Sequence, residues 1–93
     1  MALYSLVIEH LGKSYSTQLR AASAHQVVKQ FFARVYPKTR VEAFGEKAPL
    51  LGAKDILYIV PMEGLTNLWL AYAGSKGRYV SVICARTVSR RAA

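Results

Sequence analysis

The side chains that most often perform chemistry in proteins are few in this chain and lie far apart. Its two histidines are His10, beside the turn of a predicted hairpin, and His25, in the first turn of a predicted helix. The single cysteine, Cys84, alternates with valines in an apolar run, a pattern typical of an unreactive buried thiol. The five carboxylates are scattered, and no two of them lie close together on one predicted face. Because neither an activated nucleophile nor an acid–base pair is indicated, we expect a protein that is not an enzyme.

Metal and phosphate sites are not indicated by the residue spacing either. One cysteine and two distant histidines do not complete a closed zinc site. Residues 74–77 (GSKG) have the residue types of a phosphate-binding loop, but they lack its G-x-x-x-x-G-K frame and the helix that follows it. The segment is typical of a hairpin turn instead. We therefore expect no cofactor and no metal.

The charge of the chain is strongly positive. Its 93 residues include thirteen Lys and Arg against five Asp and Glu, which gives a net charge of +8. Such an excess favours polyanionic partners, namely nucleic acid or an anionic membrane surface. The alternative is that the charge serves only solubility, since a small soluble domain commonly carries a net charge of about 2–8.

The basic residues that could contact phosphates form three groups. The first follows the outer face of a predicted helix and the residues just after it, the second marks a hairpin tip, and the third closes the chain. The groups are Lys29, Arg34, Lys38 and Arg40; Lys76 and Arg78; and Arg86 with Arg90 and Arg91. Three aromatic residues near the hairpin, Trp69, Tyr72 and Tyr79, could stack on bases or could belong to the core or to an interface. No RNA-recognition signature, KH loop, zinc finger or helix-turn-helix pattern decides between these interpretations.

Length and composition predict one domain, residues 1–93, with more apolar surface than a small core needs. Hydrophobic residues make up 53% of the chain and charged residues only 19%, and a second subunit is the commonest place to bury such an excess. No apolar run is long enough for a transmembrane helix. Glu9 and His10 interrupt the apolar order that a signal peptide would need. With its lone cysteine, the chain is expected to be cytoplasmic.

The clearest structural pattern is a helix predicted over residues 24–36. Ser23 and Gln26 have the spacing of an S-x-x-Q capping box at its start. Pro37 is expected to end the helix, because its ring clashes with the preceding turn. Apolar residues recur between these limits at the i, i+3, i+4, i+7 spacing of a face that packs on a core. They are Ala24, Val27, Val28, Phe31, Phe32 and Val35.

A hairpin is predicted before the helix. Residues 3–9 and 14–20 alternate between apolar and polar side chains around a turn at Leu11. Pairing them so that Ile8 lies opposite Tyr15 places the apolar side chains on one face and most polar ones on the other. A shift of one residue would mix the faces, so the alternation favours this register.

Further strands are predicted after the helix. The elements expected are a short strand at 40–44, a loop at 45–54, and strands at 56–60, 67–73 and 78–88. Residues 67–73 also fit a helical stripe, but the turn residues that follow them favour a strand. In the last hairpin this arrangement places Tyr72 opposite Tyr79. Residues 89–93 are expected to form a frayed tail.

These patterns predict an α+β fold, with an antiparallel sheet of about five strands and one helix packed on one of its faces. The strands after the helix are apolar on both faces, so we expect a homodimer to cover the second face. The leading hypothesis for function is a non-enzymatic, homodimeric binding module with an acidic macromolecule, nucleic acid above all, as its partner. The alternative is a dimeric accessory domain that binds a small ligand or a protein. An enzyme whose site is assembled from two chains comes third.

Overall fold

Five antiparallel strands form one sheet, and a single long helical segment crosses one of its faces. The structure is a computed structural model that describes residues 1–88; the tail expected at 89–93 lies outside the described residues. The strands are β1 (Ala2–His10), β2 (Lys13–Ala21), β3 (Ile56–Pro61), β4 (Leu68–Ser75) and β5 (Arg78–Arg86), and their order in the sheet is β2-β1-β5-β4-β3. The helical segment lies between β2 and β3 in the chain. The predicted α+β class is confirmed, as is the strand at residues 67–73.

The first hairpin has the predicted register. Ile8 lies opposite Tyr15 and Leu6 opposite Thr17. The side chains of Leu6 and Ile8 are fully buried beneath the helical segment, whereas Val7 between them is exposed on the other face. The alternation of apolar and polar residues was sufficient to set the register, because a shift of one residue would move Tyr15 and Leu19 away from the face that holds Tyr4, Leu6 and Ile8.

The second hairpin, formed by β4 and β5, has a different register from the predicted one. Its turn consists of two residues, Lys76 and Gly77, whose φ angles of 54° and 78° are those of a type I′ turn. Tyr72 therefore lies opposite Ser81 and not opposite Tyr79. The prediction was wrong because it placed four residues in the turn. Since the error is a shift of two residues, every side chain still lies on its predicted face.

The helical segment begins at the predicted cap. The Oγ of Ser23 accepts a hydrogen bond from the backbone N–H of Gln26 at 3.1 Å. The Gln26 side chain accepts from the backbone N–H of Ala22 at 3.3 Å, one residue before the position that a capping box would use. The first of these bonds satisfies a backbone donor that the first helical turn leaves without a partner, and the second holds the residue just before the cap.

The helical segment does not end at Pro37. It consists of α1 (Ala24–Gln30), a π-helical turn (Phe31–Val35) and α2 (Tyr36–Phe44). The prediction that the helix stops at Pro37, and that residues 40–44 form a strand, is therefore wrong. In the wider π-turn the backbone N–H of Tyr36 bonds to the carbonyl of Phe31, five residues earlier. Pro37 then lies in the first turn of α2, where a missing N–H costs little and the fixed φ of proline suits the helix.

The π-turn also determines which aromatic side chains reach the core. Phe31, Phe32 and Tyr36 are all fully buried. The rings of Phe31 and Phe32 lie 5.1 Å apart, edge to face, and the rings of Phe32 and Tyr36 lie 5.4 Å apart. In a regular α-helix each residue is rotated by about 100° from the one before it, so residues five positions apart point in different directions. The π-turn places one more residue in the turn, which brings Tyr36 closer to the direction of Phe31 and helps the three rings to face the sheet together. Among the described residues, no helix combines the length and the apolar composition needed to cross a membrane.

We expect the core to depend strongly on Phe31. Replacing Phe31 by Ala should lower the free energy of unfolding by about 3–5 kcal/mol, because an unfilled site remains at the centre of the aromatic cluster.

Ser23→Ala should lower the free energy of unfolding by about 1 kcal/mol, because the helix loses its cap. Denaturant unfolding of the two variants, with exposed Lys29→Ala as a control, would measure these changes. A loss for Phe31→Ala as small as that for Lys29→Ala would contradict the assigned core.

Candidate anion-binding site and open sheet face

Basic side chains meet at the end of the sheet where α2 ends. Three connections converge there: the β1–β2 turn, the β4–β5 turn and the loop that follows α2. The His10 ring lies 6.2 Å from the Phe44 ring, which places the end of β1 beside the end of α2. We call this region the basic end, and it comprises His10, Lys13, Lys47, Lys76 and Arg78. Lys13 lies opposite His10 in the first hairpin, and Lys76 occupies the tip of the second.

Side-chain donors hold the loop that supplies Lys47. Four successive carbonyls of this loop, those of residues 46 to 49, each accept a hydrogen bond from a side chain. The Tyr36 hydroxyl donates to the Pro49 carbonyl at 2.7 Å, Arg40 Nη1 donates to the carbonyls of Glu46 and Ala48 at 3.0 and 2.7 Å, and Arg78 Nη1 donates to that of Lys47 at 3.0 Å. Gly45, with φ of 93°, ends α2 and turns the chain into this loop. The loop is therefore anchored from both α2 and β5.

Two of these donor residues, Arg40 and Tyr36, have roles in the structure that differ from those expected from the sequence. Arg40 was expected to be a free phosphate contact, but the structure places it against the loop, where its Nε is buried without a hydrogen-bond partner among the described residues. Tyr36 was expected only to end the helix. Its burial raises the pKa of the hydroxyl to about 12, although the nearby Arg40 charge opposes this shift. At neutral pH the hydroxyl therefore remains protonated and able to donate.

Arg78 forms a wall shared by two clefts of the basic end. One cleft, of about 450 Å³, is lined by His10, Leu11, Lys47, Gly77, Arg78 and Tyr79. The other, of about 440 Å³, is lined by Pro49, Leu50, Ser75, Lys76 and Arg78. A guanidinium carries five N–H donors, and one hydrogen bond of Arg78, to the Lys47 carbonyl, holds the loop. The other N–H groups can face oxygen atoms of an anion in either cleft.

His10 contributes a polar ring to the first cleft, although its place in the sequence predicts no binding role. Its Nδ1 lies 2.9 Å from the carbonyl oxygen of Tyr79. A carbonyl only accepts hydrogen bonds, so Nδ1 carries the proton and donates it. In the neutral ring Nε2 is then an acceptor, and in the charged ring it becomes a second donor. The only sequence signal for this position was its place at the end of β1, beside the turn.

The other predicted basic residues do not join this site. Lys29, Arg34 and Lys38 are exposed along the outer surface of the helical segment. Arg86 lies at the opposite end of β5 from Arg78, about 26 Å away at 3.3 Å per residue. Arg90 and Arg91 lie outside the described residues. Among the described residues, the structure thus separates Lys29, Arg34, Lys38 and Arg86 from the hairpin group and adds His10, Lys13 and Lys47 to it.

The predicted aromatic residues lie on different faces of the sheet. Trp69 is on the side that the helical segment covers, partly buried and edge to face with Tyr4 at 6.0 Å. Tyr72 and Tyr79 lie on the other side. The Tyr79 ring packs over Gly74, where even a methyl group would collide with it. Of the three aromatic side chains, only Tyr79 adjoins the basic end.

The sheet face opposite the helical segment, which we call the open face, exposes several large apolar side chains. Val7 and Ile83 are each 44% exposed, and Val60 and Tyr58 are exposed to a similar extent. In a monomer these side chains would remain in contact with water. The second uncovered face that the sequence pattern indicates is therefore present in the described part of the chain.

The arrangement of the basic end is suited to binding anions. Its lysines and Arg78 can donate charge-assisted hydrogen bonds to phosphate or carboxylate oxygens. Within residues 1–88, no three His, Cys, Asp or Glu side chains lie close enough together to hold a metal ion. The chain has no match among protein-family models, curated proteins or solved structures. The geometry of the site is therefore the basis of the functional argument.

We expect the Tyr36 hydroxyl to stabilise the protein through the loop. Tyr36→Phe should lower the free energy of unfolding by about 1–2 kcal/mol at neutral pH, because the buried Pro49 carbonyl loses its donor. The pH dependence should change as well. A tyrosine ionises near pH 10 when unfolded and at about 12 in the folded protein, so ionisation favours the unfolded state as the pH rises through this range.

Denaturant unfolding at several pH values from 8 to 12 measures both effects. The loss of stability above pH 10 should be smaller in Tyr36→Phe than in the wild type. Tyr15→Phe, at a less buried position of the sheet, serves as the matched control. Equal losses of stability in all three proteins would show that the Tyr36 hydroxyl is not held as described.

Proposed function

We propose that the protein is a non-enzymatic, homodimeric binding module that holds an acidic macromolecule, nucleic acid above all, at its basic end. The observation that carries this proposal is the pair of clefts on either side of Arg78, framed by Lys47, Lys76 and His10. Phosphate groups follow one another closely along a nucleic acid chain, so adjacent cationic clefts can bind successive phosphates. The chain's single cysteine, Cys84, is a free buried thiol, which suits the cytoplasmic location that we also propose.

Two further features of the basic end support nucleic acid as the partner. The anchored loop presents Lys47 on a fixed backbone, so less conformational freedom is lost on binding. The Tyr79 ring is 52% exposed on the open face, at the same end of the sheet as Arg78. An exposed aromatic ring beside a cationic cleft can stack on an unpaired base while its neighbours bind the backbone, a combination typical of proteins that bind single strands.

A second candidate function is supported by the size of the first cleft. Its volume of about 450 Å³ falls within the range of roughly 300–1,000 Å³ typical of small-molecule sites. His10, Lys47 and Arg78 would then bind the phosphate or carboxylate group of a small ligand. The two functions differ in how binding depends on salt, because a small anion displaces few condensed counterions and a nucleic acid displaces several.

The proposal is tested by removing cations from the basic end without disturbing the loop. Arg78 is unsuitable for this purpose, because it also anchors the Lys47 carbonyl. We choose the double variant Lys47→Ala and Lys76→Asn; asparagine is used because residue 76 has a φ of 54°, which asparagine tolerates better than alanine. The matched control is Lys29→Ala with Lys54→Ala, which removes the same charge from exposed positions outside the basic end.

We expect the double variant to bind single-stranded DNA and RNA more weakly, and about equally so for every sequence. The slope of log K against log salt concentration should become less steep by about 0.7 for each phosphate that the variant no longer neutralises. Fluorescence anisotropy with labelled oligonucleotides at several salt concentrations measures both quantities. Equally weakened binding by the control variant would show that only net charge matters. Failure of the wild type to bind at low salt would overturn the proposal.

A further inference from the structure

The open face has a regular pattern of side chains that follows from the strand register. Neighbouring residues across the strands form rows. The central row contains Val60, Leu70, Ile83, Val7 and Ser16, from β3 to β2. The rows on either side contain Leu68, Ala85, Ser5 and Gln18 in one case, and Tyr58, Tyr72, Ser81, Glu9 and Ser14 in the other. In all three rows the apolar and aromatic residues lie towards β3 and β4, and the polar ones lie towards β2.

The open face is also nearly free of charge, in a chain whose net charge is +8. Within the five strands, Glu9 and Arg20 are the charged residues on this side, and both lie in the strands farthest from the apolar half. The cations of the basic end and of the helical segment lie elsewhere. Two positively charged copies of this chain repel each other over most of their surfaces, and the open face is where they can approach with the least repulsion.

We propose that two copies of the chain stack their open faces against each other, with the two-fold axis running across the strands along the central row. This inference rests on the homodimeric part of the proposed function and not on its anion binding. Face-to-face sheets pack about 10 Å apart with interdigitated side chains. Five strands about 4.8 Å apart and about 25 Å long give a flat area of about 600 Å², close to the roughly 800 Å² that each partner buries in a stable interface.

The position of the axis follows from matching polarity. With the axis across the strands, each strand meets its own copy running in the opposite direction. Leu68 then meets the partner's Tyr72, and Gln18 meets the partner's Ser14, so that apolar residues face apolar ones and polar residues face polar ones. With the axis along β5 instead, Leu68 would meet the partner's Ser5. Tyr72 would meet the partner's Glu9, which would bury a carboxylate against an aromatic ring.

Charge favours the same axis. An axis along the strands would bring the two basic ends side by side, where their cations repel. The axis across the strands places the basic ends at opposite ends of the dimer. A dimer of this kind presents two separate anion sites that point away from each other. One long polyanion could contact both sites only by wrapping around the dimer. Two short polyanions could bind independently, one at each site.

Sedimentation equilibrium at micromolar concentration tests the interface. The wild type should have twice the monomer mass of 10.3 kDa. Ile83→Lys should be monomeric, because it places two unpaired charges in the interface and should raise the dissociation constant more than about 100-fold. Val41→Lys is the matched control, since Val41 is 47% exposed on α2 and Ile83 is 44% exposed on the open face. The control should remain a dimer.

Thiol cross-linking with a reagent about 10 Å long tests the axis, because this length matches the spacing of stacked sheets. Val60→Cys should cross-link to its copy, since the central row meets itself across the proposed axis. Tyr79→Cys should not, because the axis separates the two hairpin tips. The native Cys84 is buried beneath the helical segment, and its burial raises its pKa to about 11, so it should not react.

Different results would contradict the axis, the interface and the homodimer. Cross-linking of Tyr79→Cys without Val60→Cys would overturn the axis. A wild-type dimer that Ile83→Lys leaves intact would overturn the interface but not the homodimer. A wild-type monomer at high concentration would overturn both. Anion binding is measured separately: the monomeric Ile83→Lys variant should keep its affinity for a short oligonucleotide, and a fall in that affinity would contradict the independence of the two sites.

Discussion

One helical segment can cover only one face of a five-stranded sheet, and the rest of the structure depends on this constraint. The segment buries the aromatic cluster of Phe31, Phe32 and Tyr36 against one face. On the other face the same strands present valine, isoleucine and tyrosine to solvent. A small domain gains stability from every apolar side chain it removes from water. The chain therefore has one completed core and one apolar surface for which the described residues supply no cover.

The π-turn connects this constraint to the basic end. By accommodating Pro37 it lets the helical segment continue to Phe44, so that the segment spans the sheet and ends beside His10. The added residues of α2 supply Arg40, and the π-turn leads directly to Tyr36; both side chains hold the loop that carries Lys47. A helix that ended at Pro37 would leave this loop without the two hydrogen bonds from Arg40. The position of the two clefts beside Arg78 is thus a consequence of helix continuity.

Much of the fold could be predicted from the sequence, because it depends on periodicity. The alternation in β1 and β2 fixed their register, and the cap at Ser23 fixed the start of the helical segment. Pro37 was misread because a proline that ends one α-helix and a proline in the first turn after a π-turn look alike in a sequence. The turn between β4 and β5 was predicted two residues too long, because Gly74 resembles a turn residue. Its role is to admit the Tyr79 ring.

The candidate site was less predictable, because the structure assembles it from three distant connections. The hairpin tip at Lys76 and Arg78 could be identified from local pattern alone. Lys47 and His10 could not, since only the end of α2 and the anchored loop bring them beside Arg78. Arg40 was predicted to belong to the site but has another role. In the sequence it is one more cation, whereas in the structure its hydrogen bonds go to loop carbonyls.

We propose a homodimer that carries one independent nucleic acid site per chain. Sedimentation of the wild-type protein with a short labelled single-stranded oligonucleotide at low salt tests it most directly, since it measures mass and stoichiometry together. We expect the label to sediment with a protein dimer, twice 10.3 kDa, and to saturate at one oligonucleotide per chain. An oligonucleotide that sediments as free label at every protein concentration, or binds only to a monomer, would contradict the claim.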